Sequence, residues 1–362
     1  MKRVAVFCII WFVCFCAGLT AFPCTTFVMQ DQGRVYFGRN LDWDWENGWV
    51  VVNPRAIRKT ALVAPGHAPA KWVSKYGSVT FNQFGDEMPF GGMNEAGLVI
   101  ENMMLDDTRY PVPDARPEIG LLQWMQYQLD TCSNVAEVVA TDARIRLERP
   151  TVPAAIHYLV CDAAGDCATI EFLEGKMVCH RGESLPYHAL ANDTYEKSAA
   201  YARAHPMPAD STSDLRDPSS LARFTCAATR AAGFKASTPE KDVAYAFKTL
   251  KMVHQGTVWQ MVYDVTSRQV YFRTQSNHRQ RAVDLKSLDF AHIRAVEFVD
   301  IQADPTASGA LPFEVLTEAQ HRQYLQSFFA LDSLKHAMGD LKPRIEPSLM
   351  VLSSYRRVDE ER

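Results

Sequence analysis

The chain has 362 residues, 47% of them hydrophobic and 22% charged, with a formal net charge of −4 and a pI near 6.2. That apolar content supplies one large core or two modest ones. Lys and Arg form no cluster, which excludes a nucleic-acid groove as the organising feature, and no repeat or low-complexity tract points to a solenoid or a linker.

In chain order, Lys2 and Arg3 precede an apolar run from Val4 to Leu19. A charged start followed by a stretch shorter than the ~20 residues of a membrane span reads as a secretory signal. Residues 1–23 are read as that signal, ending near Ala21, plus a short stub, Phe22-Pro23, ahead of Cys24. The alternative is an uncleaved anchor. Lipidation of Cys24 would need small residues before it, and Phe22-Pro23 fits that badly. An exported chain, periplasmic or secreted, is permitted disulfides. Cys161 and Cys167 flank Asp-Ala-Ala-Gly-Asp between two β-like runs. A cross-strand bridge and a pair of buried free thiols both fit that spacing.

Cys24 to Gln30 is β-branched and apolar, Asp31-Gln-Gly33 follows as a turn, and Arg34 to Phe37 returns, which is a hairpin signal. Val50–Val52, Ser78–Phe81 and Leu98–Ile100 read as strands. Ile119 to Leu129 has a helical apolar face, and Asn134 caps a second helix. Paired strands follow at Ile156–Cys161 and Cys167–Leu173. Helices are expected at Glu196–Ala204, Ser220–Ala232 and Pro239–Val253, with Pro at the first position of the last. Val258–Tyr263 and Gln269–Phe272 form a closing hairpin. Strand runs alternate with helix runs without a βαβ rhythm, so the fold class is α+β.

The chemistry centres on Cys24. At a processed N-terminus its own α-amine, with a pKa of about 7.7–8.0, can take the proton of the thiol at about 8.5. Nucleophile and base then share one residue, and no histidine is required. The hairpin turn brings Arg39 and Asp42, in Gly38-Arg39-Asn-Leu-Asp42-Trp43, back beside Cys24. Arg39 favours a thiolate there, and Asp42 orients the α-ammonium. Outside such a context the two would be a surface ion pair of small worth.

These residues resemble the choloylglycine hydrolases and penicillin V acylases, a family of N-terminal-nucleophile hydrolases. After Cys24-Thr and Gly38-Arg-Asn-Leu-Asp42-Trp come Gly92-Met-Asn94-Glu-Ala-Gly97-Leu and Leu190-Ala-Asn192-Asp-Thr-Tyr195. Ser219-Ser-Leu-Ala-Arg223-Phe follows, then Tyr263-Asp with Tyr271-Phe-Arg-Thr274. Each motif is weak alone; their order, from Cys24 to about Asn277, is what makes the resemblance. It implies a four-layer αββα sandwich for residues 24–290, with 291–362 as a C-terminal extension. It implies Cys24 as nucleophile and base, held by Arg39 and Asp42. Asn192's amide and the backbone N–H of Asn94 would bind the oxyanion, and Arg223 would support Asp42 and the thiolate. The aromatics Trp43, Trp45 and Phe90 would line an acyl pocket or pack the core. Ala191 departs from the family's usual Thr before the asparagine.

The resemblance further implies a small-molecule linear amide as substrate, no metal or organic cofactor, and self-processing. It implies no membrane anchor or nucleic-acid partner, and a homo-oligomer, often a tetramer in the family. A papain-like protease and a zinc hydrolase lack their motifs here. An acyltransferase, an acylase of N-acyl-homoserine lactones or fatty-acid amides, and a non-catalytic exported lipoprotein or binding protein remain as rival readings.

Overall fold

In the computed structural model residues 23–64, 66–149, 154–208, 215 and 219–358 are described. The expected leader, apart from Pro23, lies outside the described residues. The first hairpin sets the frame. Thr25–Asp31 pairs antiparallel with Arg34–Asp42. Gln32 and Gly33 form the turn, both at positive φ (49° and 74°), a geometry that matches the right-handed twist of the strands it joins.

Two sheets stack on each other. The first has six strands in the order Ala189–Leu190, Thr25–Asp31, Arg34–Asp42, Thr257–Asp264, Gln269–Thr274, Arg281–Asp284. The second has nine: Lys176–Arg181, Cys167–Leu173, Ile156–Cys161, Val99–Met104, Pro89–Asn94, Ser78–Asn82, Trp49–Asn53, Glu297–Asp300, Glu314–Val315. Period-2 alternation divides the second sheet's side chains between two cores. Val99, Met103 and Leu159 join the core shared with the first sheet. Leu98, Ile100, Tyr158 and Val160 face the opposite way, toward the helix Leu121–Thr131. Helices Ser220–Ala232 and Pro239–Met252 cover the first sheet's outer face, and Tyr195–Ala204 packs beside the former. The result is a four-layer αββα sandwich, α+β in class.

Most expected elements form within a residue or two of their predicted limits. Gly92, Met93 and Asn94 end the strand Pro89–Asn94, and a turn follows it, closed by the Gly97 N–H on Asn94 O with Gly97 at φ 87°. Cys161 and Cys167 face each other in the ladder and form a disulfide. Residues beyond 290 are interleaved with the rest. Glu297–Asp300 adds to the second sheet beside Trp49–Asn53, and Arg356–Arg357 pairs with Ile57–Thr60. The helix Glu318–Phe328 lays Tyr324 on Trp49 and Phe328 against Trp45. Among the described residues no helix is long and apolar enough to cross a membrane.

Gly38 stands opposite Phe27 in the first hairpin, and a Cβ there would meet the ring at 2.5 Å. The ring therefore lies on the glycine that opens the Gly38–Asp42 motif. Gly38→Ala should destabilise the protein by about 1–3 kcal/mol through overpacking, read as a lower midpoint in urea unfolding at unchanged slope.

Candidate active site

Cys24 immediately precedes the first strand and is 2% exposed. Register places Arg39 opposite Thr26 and Asn40 opposite Thr25, so the end of the returning strand lies beside Cys24. The Cys24 thiol points at the Asp42 carbonyl, 3.8 Å away. Alternation sends Asn40 outward, where its Nδ2 donates to Leu250 O at 2.8 Å, and turns Arg39 into the space between the sheets.

Arg39 is fully buried. Its Nε donates to Glu101 Oε2 at 3.1 Å and its Nη1 to Asn40 O. Burial opposes its charge, but Cys24 and Glu101 offset that and hold the guanidinium above its ordinary range. Asp42 is equally buried. Thr257 donates to its Oδ1, while Oδ2 has no hydrogen-bond partner among the described residues. Burial pushes the Asp42 carboxyl up to about 7, against the pull of Thr257, Arg223 and Arg39.

Arg223 enters from the second layer of helices. Ser219 caps its helix by accepting from Ala222 N–H, which places Arg223 in the first turn, over Cys24. Its Nη1 donates to Cys24 O at 2.7 Å, to Thr25 Oγ1 at 2.6 Å and to Pro23 O. Its Nη2 donates to Asn192 Oδ1 at 2.9 Å. Burial lowers its pKa, with Asp42 and Cys24 acting the other way. Asn192 follows the short strand Ala189–Leu190, which pairs with Thr25–Asp31. Its Nδ2 donates to Met104 O at 2.9 Å and its N–H to Ser220 Oγ at 2.8 Å. The preceding residue is anchored too: His157 Nε2 lies 2.8 Å from Ala191 O. A carbonyl only accepts, so that ring nitrogen carries the hydrogen.

Cys24, Arg39, Asp42, Asn192 and Arg223 are thus brought together. Asn94 is not. Its backbone N–H donates to Leu98 O at 3.0 Å, and its Nδ2 donates to Leu129 O and Cys132 O at 2.8 and 2.7 Å. Met93 faces the inter-sheet core, so Asn94, one residue on, faces the helix layer and ties down the end of Leu121–Thr131. The Asn94 N–H, spent on Leu98 O, is not the oxyanion donor that the resemblance implied. The aromatics divide likewise. Trp45 is buried against Phe328 and donates to Ser333 Oγ at 2.7 Å, so it packs the C-terminal helices. Trp43 bridges between Trp45 and Phe90 with ring separations of 5.4 and 5.9 Å, and Phe90 stacks on Phe84.

Three groups beside Arg39 and Asp42 went unread in the sequence: Thr257, Tyr263 and Glu101. Only Glu101 left a signal, as a charge within the apolar strand Val99–Met104. A cavity of about 450 Å³ lined by Lys59, Glu87, His321 and Tyr355 shares no residue with this cluster. His67, Glu118 and Glu148 place possible metal-ligand atoms within 4.8 Å of one another, yet the Arg146 guanidinium already sits on Glu118.

Two stacked sheets between helix layers, with a cysteine at the start of the first strand, define the sandwich of the N-terminal-nucleophile hydrolases. The chain belongs to the linear amide C–N hydrolases of the choloylglycine hydrolase family, whose profile matches residues 24–233. It is 30% identical over 189 residues to a penicillin V acylase of Pectobacterium atrosepticum. That match covers 47% of this chain and 49% of the relative, so it spans about half of the relative's length. The structure of penicillin V acylase from Agrobacterium tumefaciens superposes with a TM-score of 0.68 at 25% identity, over 76% of this chain and 91% of that one. A variant of the conjugated bile acid hydrolase of Clostridium perfringens shares the fold, with a TM-score of 0.62 at 16% identity over 81% and 100% of the two chains.

Because the Asp42 carboxyl is raised in the fold, the native state binds its proton more tightly than the unfolded chain. Stability on its account therefore falls as pH rises from about 4 to about 7. Asp42→Asn removes that loss. With the Pro23–Cys24 bond intact, the variant's Tm relative to wild type should climb between pH 4.5 and pH 8. A pH-independent difference would contradict the upward push that burial gives this carboxyl.

Proposed function

We propose that the protein hydrolyses a linear, non-peptide amide through a thioester on Cys24. The observation that supports this best is the convergence of Arg39, Asp42, Asn192 and Arg223 on the start of the first strand. In the chain described here the Cys24 nitrogen is still bonded to Pro23, whose carbonyl Arg223 holds. Cleavage of that bond, by the protein itself or after export, frees an α-amine beside Asp42. The unpartnered Asp42 Oδ2 is a ready acceptor for an α-ammonium, and the new cation would pull the carboxyl back toward its ordinary range.

The steps then balance. The α-amine takes the Cys24 proton, and the thiolate adds to the amide carbonyl. The Asn192 side-chain amide would donate to the oxyanion, where a fixed donor is worth most. The α-ammonium returns its proton to the leaving nitrogen, the C–N bond breaks, and a thioester remains. Water, deprotonated by the same amine, cleaves the thioester and restores the thiol. The relatives are named for penicillin V and conjugated bile acids, so those two amides head the substrate panel. The apolar start of the chain and the Cys161–Cys167 disulfide support export to an oxidising compartment.

Cys24→Ala should lower kcat at least about a thousandfold, since the covalent route is lost, and full activity in that variant would sink the mechanism. Asn192→Ala should cost about 10²–10³-fold in kcat, as loss of one oxyanion donor does. A change in KM alone would place Asn192 in binding. Both are read by steady-state hydrolysis of penicillin V and a glycine-conjugated bile acid.

A further inference from the structure

Arg39 reaches Cys24 from a polar island built between the two sheets. Val99, Glu101 and Met103 alternate toward the first sheet, and Val99 and Met103 are apolar core. Glu101 among them is wholly buried. Its Oε2 accepts from Arg39 Nε at 3.1 Å, and its Oε1 accepts from the Tyr263 hydroxyl at 2.5 Å. Gly91 stands directly across the ladder from Glu101, and a Cβ there would overlap the carboxylate. Four strands from two sheets thus give up packing to house one carboxyl group. A leucine at this position would fill the interface without desolvating a charge.

We propose that Glu101 is a positioning residue for Cys24: it fixes the Arg39 guanidinium through Nε, and its charge sets how strongly Arg39 favours the thiolate. This rests on the reading of Cys24 as the nucleophile. A guanidinium keeps its charge throughout. With Nε on Glu101 and Nη1 on Asn40 O its plane is set, and Nη2 is left without a hydrogen-bond partner among the described residues. Cys24 lies within interaction range of that guanidinium. Ionised Glu101 cancels much of Arg39's charge at the thiol, and protonated Glu101 releases it.

Burial pushes the Glu101 carboxyl up to about 7, with Arg39 and Tyr263 pulling it back, so it changes charge near neutrality. The ionisable groups around it are few. Glu101 faces Arg39 and Tyr263. Arg39 also faces Cys24 and Asp42, and Arg223 adjoins Cys24, Asp42 and Arg39 from the helix Ser220–Ala232. Removing the charge of Glu101 therefore leaves more of Arg39's positive charge to act on the Cys24 thiolate.

The test is the pH dependence of iodoacetamide alkylation, read on the Cys24 peptide by mass spectrometry in folded protein. Glu101→Gln should lower the midpoint by about one pH unit, the scale of a neighbouring charge. Tyr263→Phe should lower it by less, because losing a donor raises the proton affinity of Glu101. A merely structural role would change Tm and leave the midpoint in place. An unchanged or raised midpoint in Glu101→Gln overturns the proposal; if that variant does not fold, the same result in Tyr263→Phe does so. The readout needs no turnover. An active Cys24→Ala enzyme would refute the thioester mechanism, whereas an unmoved midpoint would refute only the role of Glu101.

Discussion

A guanidinium cannot shed its proton inside a protein, so once Arg39 is buried between two sheets its surroundings must answer it. Glu101 and the Asn40 carbonyl do so directly. The rest follows as a chain of accommodations. Glu101 needs a second donor and takes Tyr263. The bulk of its carboxylate needs a residue with no side chain opposite, and Gly91 is there. Asp42, on the same strand, draws on the same positive field and on Arg223. Cys24 sits where the two arginines meet, so the strand register that buries Arg39 also determines which cysteine they surround.

Much of this was legible from residues alone, because it is local. A β-branched run, a turn and a returning run specify a hairpin, and a hairpin has one register. Arg39 and Asp42 could therefore be placed beside Cys24 before any coordinates. Arg223 came only from the resemblance: an arginine near a helix start reads as surface on its own, and what buries it is its contact with the Cys24 carbonyl, 199 residues away. Asn94 was carried over from the resemblance for its backbone N–H, and that N–H is committed to Leu98 O across the turn after the strand Pro89–Asn94. Glu101 was passed over because a lone charge in a strand reads as solvent-facing unless a second sheet covers it. Its partners in the facing first sheet, Arg39 and Tyr263, lie 62 and 162 residues away in sequence.

The C-terminal segment shows the same division. Its first long helix, Glu318–Phe328, carries a local signal of its own, the capping box of Thr317 and Gln320. The four-residue strand Glu297–Asp300 carries none, since so short a run acquires meaning only from the neighbour it pairs with. Trp45 was open to a pocket or a packing role from its place just after Asp42, and its indole belongs to the packing of those late helices.

The strand Trp49–Asn53 lies in the second sheet between Ser78–Asn82 and Glu297–Asp300. One of its neighbours is made soon after it, and the other only when most of the chain has been synthesised. Until then the growing polypeptide presents a strand with Val50, Val51 and Val52 in series and one side unpaired, the kind of edge that recruits other chains. Completion of the sheet must therefore wait for the end of synthesis, and something has to shield that edge meanwhile. The edge closes only when Glu297–Asp300 arrives, so the late segment serves as the cover of an early strand.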